Sequence, residues 1–324
     1  MALPIWKDYF ITLFGGTAGN PVDFSVYCKD SPIYTGRAFP RPGSNYPSIR
    51  VNEICADYLT RALPIVGNDY YGAEFRVTYN GLSSVFTMAR DWSYESTFTP
   101  GTDAPMFPVV PILHPGQYLP IWAPGGAYTA TLILRPASPG DFCNDFNDDF
   151  LYFGATSIVI TESDLEGDFQ FLDLSAYSNL AAVQVNGMTY QVADLCGGYV
   201  LYYINAYGGW DSIPVQGRTI RTDAVTRYNR EAVYSNGFYY NRGKENYVNE
   251  VEEKFKFVIG PLTTEQSARM PHLLGSTFVY LHDIDKGRIH PLNLTATTIE
   301  HKTRPGALHF YEVEASLGQN HTRR

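Results

Sequence analysis

The sequence predicts a mainly-β protein built from several sandwich-like domains, and three observations carry that prediction. Apolar residues recur with a period of two along most of the chain. In the middle of the chain, strand-like runs follow one another at roughly ten-residue spacing between turn signals, the pattern of a sandwich. Aromatic residues make up 15% of the 324 residues, with 25 Tyr and 19 Phe, against only 18% charged residues. Strands favour such residues. So do subunit interfaces and ligand grooves, because Tyr offers a large, stiff face with a polar tip.

Residues 1–100 read as a β-domain carrying one helix. Asp23–Lys29, Glu74–Tyr79 and Ser84–Ala89 alternate as strands, and Asn80-Gly81 is a tight turn between the last two. Asn52 is placed to cap a helix in which Ile54, Cys55, Tyr58, Leu59 and Ala62 share a face, with Pro64 as its stop. Residues 101–125 read as a stiff connector. Seven prolines fall between Pro100 and Pro124, and a central strand cannot hold residues that lack the ladder N–H, so Gln117–Trp122 is expected as an edge strand.

Residues 126–205 read as a second sandwich module. Its strands are Tyr128–Leu134, Ser157–Thr161, Gln170–Leu174, Ala181–Asn186 and Thr189–Ala193, with Asn186-Gly187 as a hairpin turn. Tyr199–Ala206 is the strongest strand of the chain, and Tyr207-Gly208-Gly209-Trp210-Asp211 is read as its break. In residues 206–324, Arg218 to Ile259 alternates as one long polar hairpin around Asn236-Gly237 and Asn241-Arg242-Gly243. Thr263 and Gln266 form a capping box for a helix ending at Gly275, which Pro271 kinks or splits. Strands over Thr277–His282, Asn293–His301 and Ala307–Leu317 complete the chain.

Charge divides the chain at the same place as the strand pattern. Residues 1–205 hold 9 basic and 20 acidic side chains, whereas residues 206–324 hold 15 and 13. A strongly acidic module is a poor nucleic-acid binder, since phosphate contacts need clustered Lys and Arg, so no sequence-specific nucleic-acid partner is expected. No run of ~18 apolar residues exists, so no membrane span is expected. MALPIWKDYFITLFGG lacks the basic and long apolar regions of a signal peptide, which points to synthesis in a cytoplasm. Cys28, Cys55, Cys143 and Cys196 form no CxxC pair and read as reduced, buried thiols.

Catalytic signatures are missing: there is no G-x-S-x-G, H-E-x-x-H, C-x-x-C or dinucleotide glycine pattern, and no cofactor is expected. Gly237–Lys244 (GFYYNRGK) imitates a phosphate loop with wrong spacing, and Glu245 stands where Ser or Thr would ligate magnesium. Asp141, Asp145, Asn147, Asp148 and Asp149 offer oxygen ligands without the order of a calcium loop, and a solvated loop is the preferred reading. His282, Asp283 and His290 form a weak zinc set. Trp92, beside Asp91, and Trp122 are the aromatic candidates for a glycan platform. Arg218, Arg221, Arg227, Arg230 and Arg242 interleave with Tyr228, Tyr234, Tyr239 and Tyr240. Single-strand-binding surfaces look like this, but interspersed glutamates dilute the positive field and favour a contact between subunits.

Three stretches carry a resemblance to a family: Ile33–Leu59, Tyr202–Ser212 (YYINAYGGWDS) and Phe257–Ser316. In these the sequence resembles structural tail proteins of tailed bacteriophages, of the tail-tube, distal-tail and baseplate type, especially those of Bacteroidetes phages and prophages. The resemblance implies a tail-tube-like C-terminal sandwich with a long hairpin and one flanking helix. It further implies a non-enzymatic virion component that forms a homo-oligomeric ring and docks other tail proteins. Tyr207, Gly208, Gly209, Trp210 and Asp211 then join the arginines and tyrosines of the hairpin as expected interface residues. Two modules precede the tube-like part, more than a plain tube subunit needs, which favours a tip, baseplate or ring position. The alternative is a carbohydrate-binding adhesin module that engages a host-surface glycan.

Overall fold

The computed structural model describes residues 3–4, 8–14, 17–59, 71–90, 106, 108, 110–135, 156–177, 179–193, 198–231, 244–295, 308–318 and 321–323. Of these, 58% lie in strands and 9% in helices, so the fold is mainly β, as expected. Contacts divide the chain into two discontinuous units. The first comprises residues 1–108, 118–189 and 205–211, and the second residues 109–117, 190–204 and 212–324. The boundaries read along the sequence, at 100, 125 and 205, instead cut the chain into consecutive segments.

The first unit begins with β1 (Leu3–Pro4), β2 (Phe10–Thr12), β3 (Val22–Cys28), β4 (Ser31–Ala38) and β5 (Ser48–Arg50). Helix α1 (Asn52–Leu59), β6 (Gly72–Tyr79) and β7 (Leu82–Ala89) follow. A five-stranded sheet runs in the order β1-β7-β6-β3-β4, and β2 pairs with β5 in a separate ribbon. Alternation sends Phe24, Val26, Cys28, Phe75, Val77, Phe86 and Met88 to one face. Helix α1, through Cys55 and Leu59, and the β2–β5 ribbon, through Ile11 and Ile49, contribute to the same core. Each such fully buried large side chain stabilises by about 1.5–3 kcal/mol.

The β6–β7 turn is the expected tight one, with Asn80 and Gly81 both at positive φ. Asn52, however, is the first residue of α1 and not its cap. The Cys55 N–H donates to Val51 O, so the helix starts one residue earlier, and Asn52 Oδ1 accepts from Arg50 Nε. Cys28 and Cys55 are free, buried thiols. Burial, with a smaller contribution from Cys28, pushes the Cys55 thiol up to about 12; Cys143 and Cys196 lie outside the described residues.

Next along the chain, β8 (Ile112–Leu113) belongs to the second unit. The first unit resumes with β9 (Tyr118–Trp122), β10 (Tyr128–Leu134), β11 (Thr156–Glu162), β12 (Phe169–Asp173) and β13 (Leu180–Val185). Among the described strands β9 pairs only with β12, and Pro120 lies opposite Phe171, so the Pro-containing strand takes an edge position there, as expected. Strand β10 lies between β11 and β13. Asn186 and Gly187, again both at positive φ, turn the chain into β14 (Met188–Val192), through which the unit boundary passes.

The second unit is organised by one sheet made of β15 (Tyr199–Ile204), β16 (Trp210–Pro214, of which Ser212–Pro214 belong to this unit), β17 (Thr219–Glu231), β18 (Lys244–Leu262), β19 (Val279–Asp283), β20 (Arg288–Leu294), β21 (His309–Leu317) and β22 (His321–Arg323). The order is β16-β15-β19-β20-β21-β18-β17, with β22 pairing β18. Its two end strands, β16 and β17, are joined by residues 215–218 alone, a link that reaches at most about 18 Å. The sheet therefore rolls toward a barrel. Tyr199 of β15 lies 6.3 Å from the rings of both Phe255 and Phe257 of β18, closing the interior. The sequence reading broke the chain at 207–211; in fact Trp210 opens β16. The strand expected over Asn293–His301 is displaced toward the N-terminus, and residues 296–301 lie outside the described residues. The strand starts at Arg288, and β21 joins it only from Leu292 onward, past the proline.

The Thr263–Gln266 capping box forms in both directions, at 3.3 and 2.9 Å. The predicted helix is split into α2 (Thr264–Ser267) and α3 (Met270–Gly275), with Pro271 in the first turn of α3, where its missing N–H costs nothing. Met270 and Leu273 seal the barrel core. Burial, with a smaller push from Arg269, holds the His272 imidazole below its ordinary 6.5. The unfolded chain therefore binds this proton at a higher pH than the folded one. The stabilisation is complete above the ordinary value and is lost as pH falls from it through the lowered one. Thermal melts of His272→Gln between pH 7 and 5 are expected to show a smaller acid-side drop than wild type, and an equal or larger drop contradicts the assignment.

Candidate assembly surface

Among the described residues the longest strand pair is the β17–β18 hairpin, paired from Thr219–Phe257 to Glu231–Lys244 with one irregularity at Tyr228 and Asn229. Its base belongs to the barrel. Phe255, Phe257 and Ile259 point inward, and β21 covers β18 from Lys254 to Leu262. Beyond Glu253 the strands leave that support. From Val251 to Asn249, β18 touches only β22 on its second edge, and from Thr222 to Asn229 every side chain of β17 except the half-buried Ala224 is exposed. Apart from β22 beside Asn249–Val251, the described arm is two-stranded; its β18 side chains from Val248 to Glu253 are half-buried, whereas the β17 side carries almost only exposed residues and no partner strand among the described residues.

Its two faces differ. Arg221, Asp223, Val225 and Arg227 share one face with Phe255, Glu253, Val251 and Asn249. Arg221 bonds Glu253 at 2.9 Å and Asp223 at 3.4 Å, which relieves the Asp223–Glu253 pair of like charges. The opposite face carries Thr222, Thr226 and Tyr228 against Lys254, Glu250 and Val248, and Tyr228 donates its hydroxyl to Glu250 at 3.3 Å. Near the base, Lys256 binds Glu312 at 2.6 Å, and that hydrogen bond raises the Lys256 pKa above its ordinary value. These exposed pairs set orientation more than stability.

The expected interface residues divide into three groups. Arg221 and Arg227 lie on the exposed arm, and Arg227 has no ion pair among the described residues. Arg230 is described by its backbone only, opposite Glu245. Tyr234, Tyr239, Tyr240 and Arg242 lie outside the described residues. The third group, Tyr207 to Asp211, is a correction. Gly208 and Gly209 are buried, Trp210 and Asp211 are each 1% exposed, and only Tyr207 is half-exposed. These residues form a turn in which Asn205 Oδ1 accepts the Tyr207 and Gly209 N–H groups at 3.0 Å each. Gly208 to Asp211 serve this chain's own core and offer no exposed side chain to a neighbour, whereas Tyr207 stays half-exposed.

Other candidates dissolve in the same way. His282 pairs with Ile289, and Leu281 with His290, so the two imidazoles stand on opposite faces of the β19–β20 pair. Asp283 is engaged by Lys286 at 2.5 Å. Among the described residues no group of three metal-binding side chains occurs. Trp92, the Asp141–Asp149 loop and residues 237–243 lie outside the described residues. Trp122 packs its ring against Tyr71 at 5.6 Å and Phe169 at 4.9 Å, a role within the fold. An open depression of about 660 Å³ lined by Asp23, Phe24, Thr35, Thr78 and Tyr79 lies in the first unit. Asp23 is bound there by Arg37 at 2.6 and 3.0 Å.

One exposed element was read from sequence as an ordinary sandwich strand. In β11 only Ile160 is even half-buried, and Val159 is 62% exposed. An apolar run has the same sequence pattern whether it is buried or stands at an edge, so no local signal separates the two. No family model, no curated protein and no solved structure matches this chain.

Proposed function

We propose that the chain is a structural subunit of a bacteriophage tail, of the tip, baseplate or ring type, which assembles with copies of itself and turns over no substrate. The observation that carries this reading is the unsupported arm of the β17–β18 hairpin. The β17 edge from Thr222 to Asn229, which pairs with no further described strand, gains one only from a partner. Subunits that meet head to tail close into rings when the rotation allows. The resemblance in Phe257–Ser316 supplies the tail context, and the rolled sheet with its capped helix is compatible with it. In this reading the protein is made in the host cytoplasm and resides in the virion, where further tail proteins dock on it.

The test shortens the hairpin in register. Ala224 and Glu252 are direct partners, so residues 225–251 can be replaced by Asn-Gly, which closes a two-residue turn. Wild type is expected to form discrete oligomers by mass photometry and rings by negative-stain imaging. The shortened chain is expected to keep its circular dichroism and stay monomeric. A monomeric wild type, or a shortened chain that still assembles, overturns the reading.

A further inference from the structure

We propose that the open depression on the solvent face of the β1-β7-β6-β3-β4 sheet binds a neutral oligosaccharide, at a site that asks nothing of self-assembly. Ser25 lies directly opposite Thr35 of β4 and Thr78 of β6, and Thr78 lies opposite Ser83 of β7. Opposed residues share a face, and Ser25 alternates with Phe24 and Val26, which belong to the core. Four hydroxyls therefore stand side by side across four strands, over about 14 Å. Longer side chains flank the row. On one side Asp23 lies opposite Arg37; on the other Tyr27 lies opposite Arg76, whose guanidinium is 5.1 Å from the Tyr27 ring centroid. The depression of about 660 Å³ lies on the Asp23 side, lined by Asp23, Ser25, Thr35, Thr78 and Asn80. That is the size of an ordinary small-ligand pocket.

The neutral polar groups here are unengaged. The Ser25, Thr35, Thr78 and Ser83 hydroxyls and the Asn80 amide make no hydrogen bond among the described residues. Opposed threonines in the same unit behave otherwise: Thr129 and Thr161 bond one another at 3.4 Å. The charged groups, by contrast, are paired. Arg37 holds Asp23 through two hydrogen bonds, at 2.6 and 3.0 Å, and Arg76 lies 3.6 Å from Asp30. No cationic side chain among the described residues lines the depression to hold an anion, and the Asp23 charge is already neutralised against a metal ion. A covering protein surface would strip water from ion pairs and hydroxyls for little apolar burial, since Phe24 and Tyr79, which also line the depression, are already buried. An oligosaccharide instead brings hydroxyls that donate and accept, as these do, and the Asp23 oxygens keep lone pairs for them. Rigid strands hold the partners in place, so binding orders little. Their spacing of about 4.8 Å is close to the advance per ring of an extended glycan chain, so the row meets successive rings.

Saturation-transfer NMR on the full chain tests this with cello-, manno-, xylo-, malto- and chitotetraose, and with tetragalacturonate as the acidic comparison. At least one neutral tetrasaccharide is expected to bind with a Kd of about 0.1–1 mM, the strength of a few net hydrogen bonds. The double variant Thr35→Val/Thr78→Val removes two hydroxyls from the solvent face at nearly constant volume. It is expected to melt as wild type does and to bind at least tenfold more weakly. Thr87→Val removes an exposed hydroxyl from the same face of β7, outside the depression, and is expected to bind as wild type. The proposal is overturned by no binding of any neutral tetrasaccharide at about 10 mM, by equal affinity in the double variant, or by an equal loss in Thr87→Val. Tighter binding of tetragalacturonate than of every neutral chain makes this an anion site and overturns it as well.

Discussion

Gly208→Ala is expected to abolish folding of the first unit or to destabilise it by about 4 kcal/mol or more, at the far end of what a single substitution does. Gly208 holds φ at +84°, where an L side chain already costs about 1 kcal/mol, but the larger effect is steric. A Cβ at this position stands 1.4 Å from Arg90 O and 2.6 Å from Arg90 C. These are backbone atoms of a buried residue whose own N–H donates to Tyr71 O at 2.7 Å, so they cannot swing away like the tip of a side chain. The Asn205 turn must open, and with it the position of Trp210. Gly187→Ala is the control: φ is +75° there too, yet nothing lies within 4 Å of the added carbon, so a loss of about 1 kcal/mol is expected. Tryptophan fluorescence melts compare the two variants. A Gly208→Ala chain as stable as Gly187→Ala removes the close approach from the explanation.

The contrast between these glycines shows what the sequence could reveal. Local chemistry was legible: Asn80-Gly81 and Asn186-Gly187 specify their turns, Thr263 and Gln266 their capping box, and Pro271 the point where the helix divides. Each is decided by residues within a few positions of one another. The role of Gly208 is decided by Arg90, 118 residues away, so a Gly-Gly-Trp run inside an aromatic stretch looked like an exposed loop. The β11 edge was hidden for the converse reason, because exposure depends on what fails to pack beside a strand. The long hairpin was read correctly because alternation persists over both arms. Its division into a supported base and an unsupported arm follows from β21, which pairs with β18 from more than fifty residues downstream.

The second large effect is expected at Arg90. The side chain is fully buried. Its Nε donates to Gly208 O at 2.9 Å and its Nη1 to Leu59 O at 3.1 Å, at the end of α1. The guanidinium lies 5.3 Å from the Phe169 ring centroid and 5.9 Å from that of Trp210. One planar cation thus ties the end of α1, the Asn205 turn and two aromatic side chains together. Arg90→Leu removes a buried charge, which recovers some desolvation energy, but it leaves two buried carbonyls without these donors at about 1–3 kcal/mol each. It also removes the ring contacts, so a net loss of about 3–5 kcal/mol is expected. Arg90→Lys is expected to be no rescue, because a single ammonium on a different stem cannot reproduce the fork that reaches both carbonyls. Since Gly208→Ala displaces one of those carbonyls itself, the double variant is expected to lose less than the two single losses combined. Full additivity in denaturant melts followed by tryptophan fluorescence means that Arg90 and Gly208 act separately, and an Arg90→Lys chain of wild-type stability means that charge alone, not the fork, holds the turn.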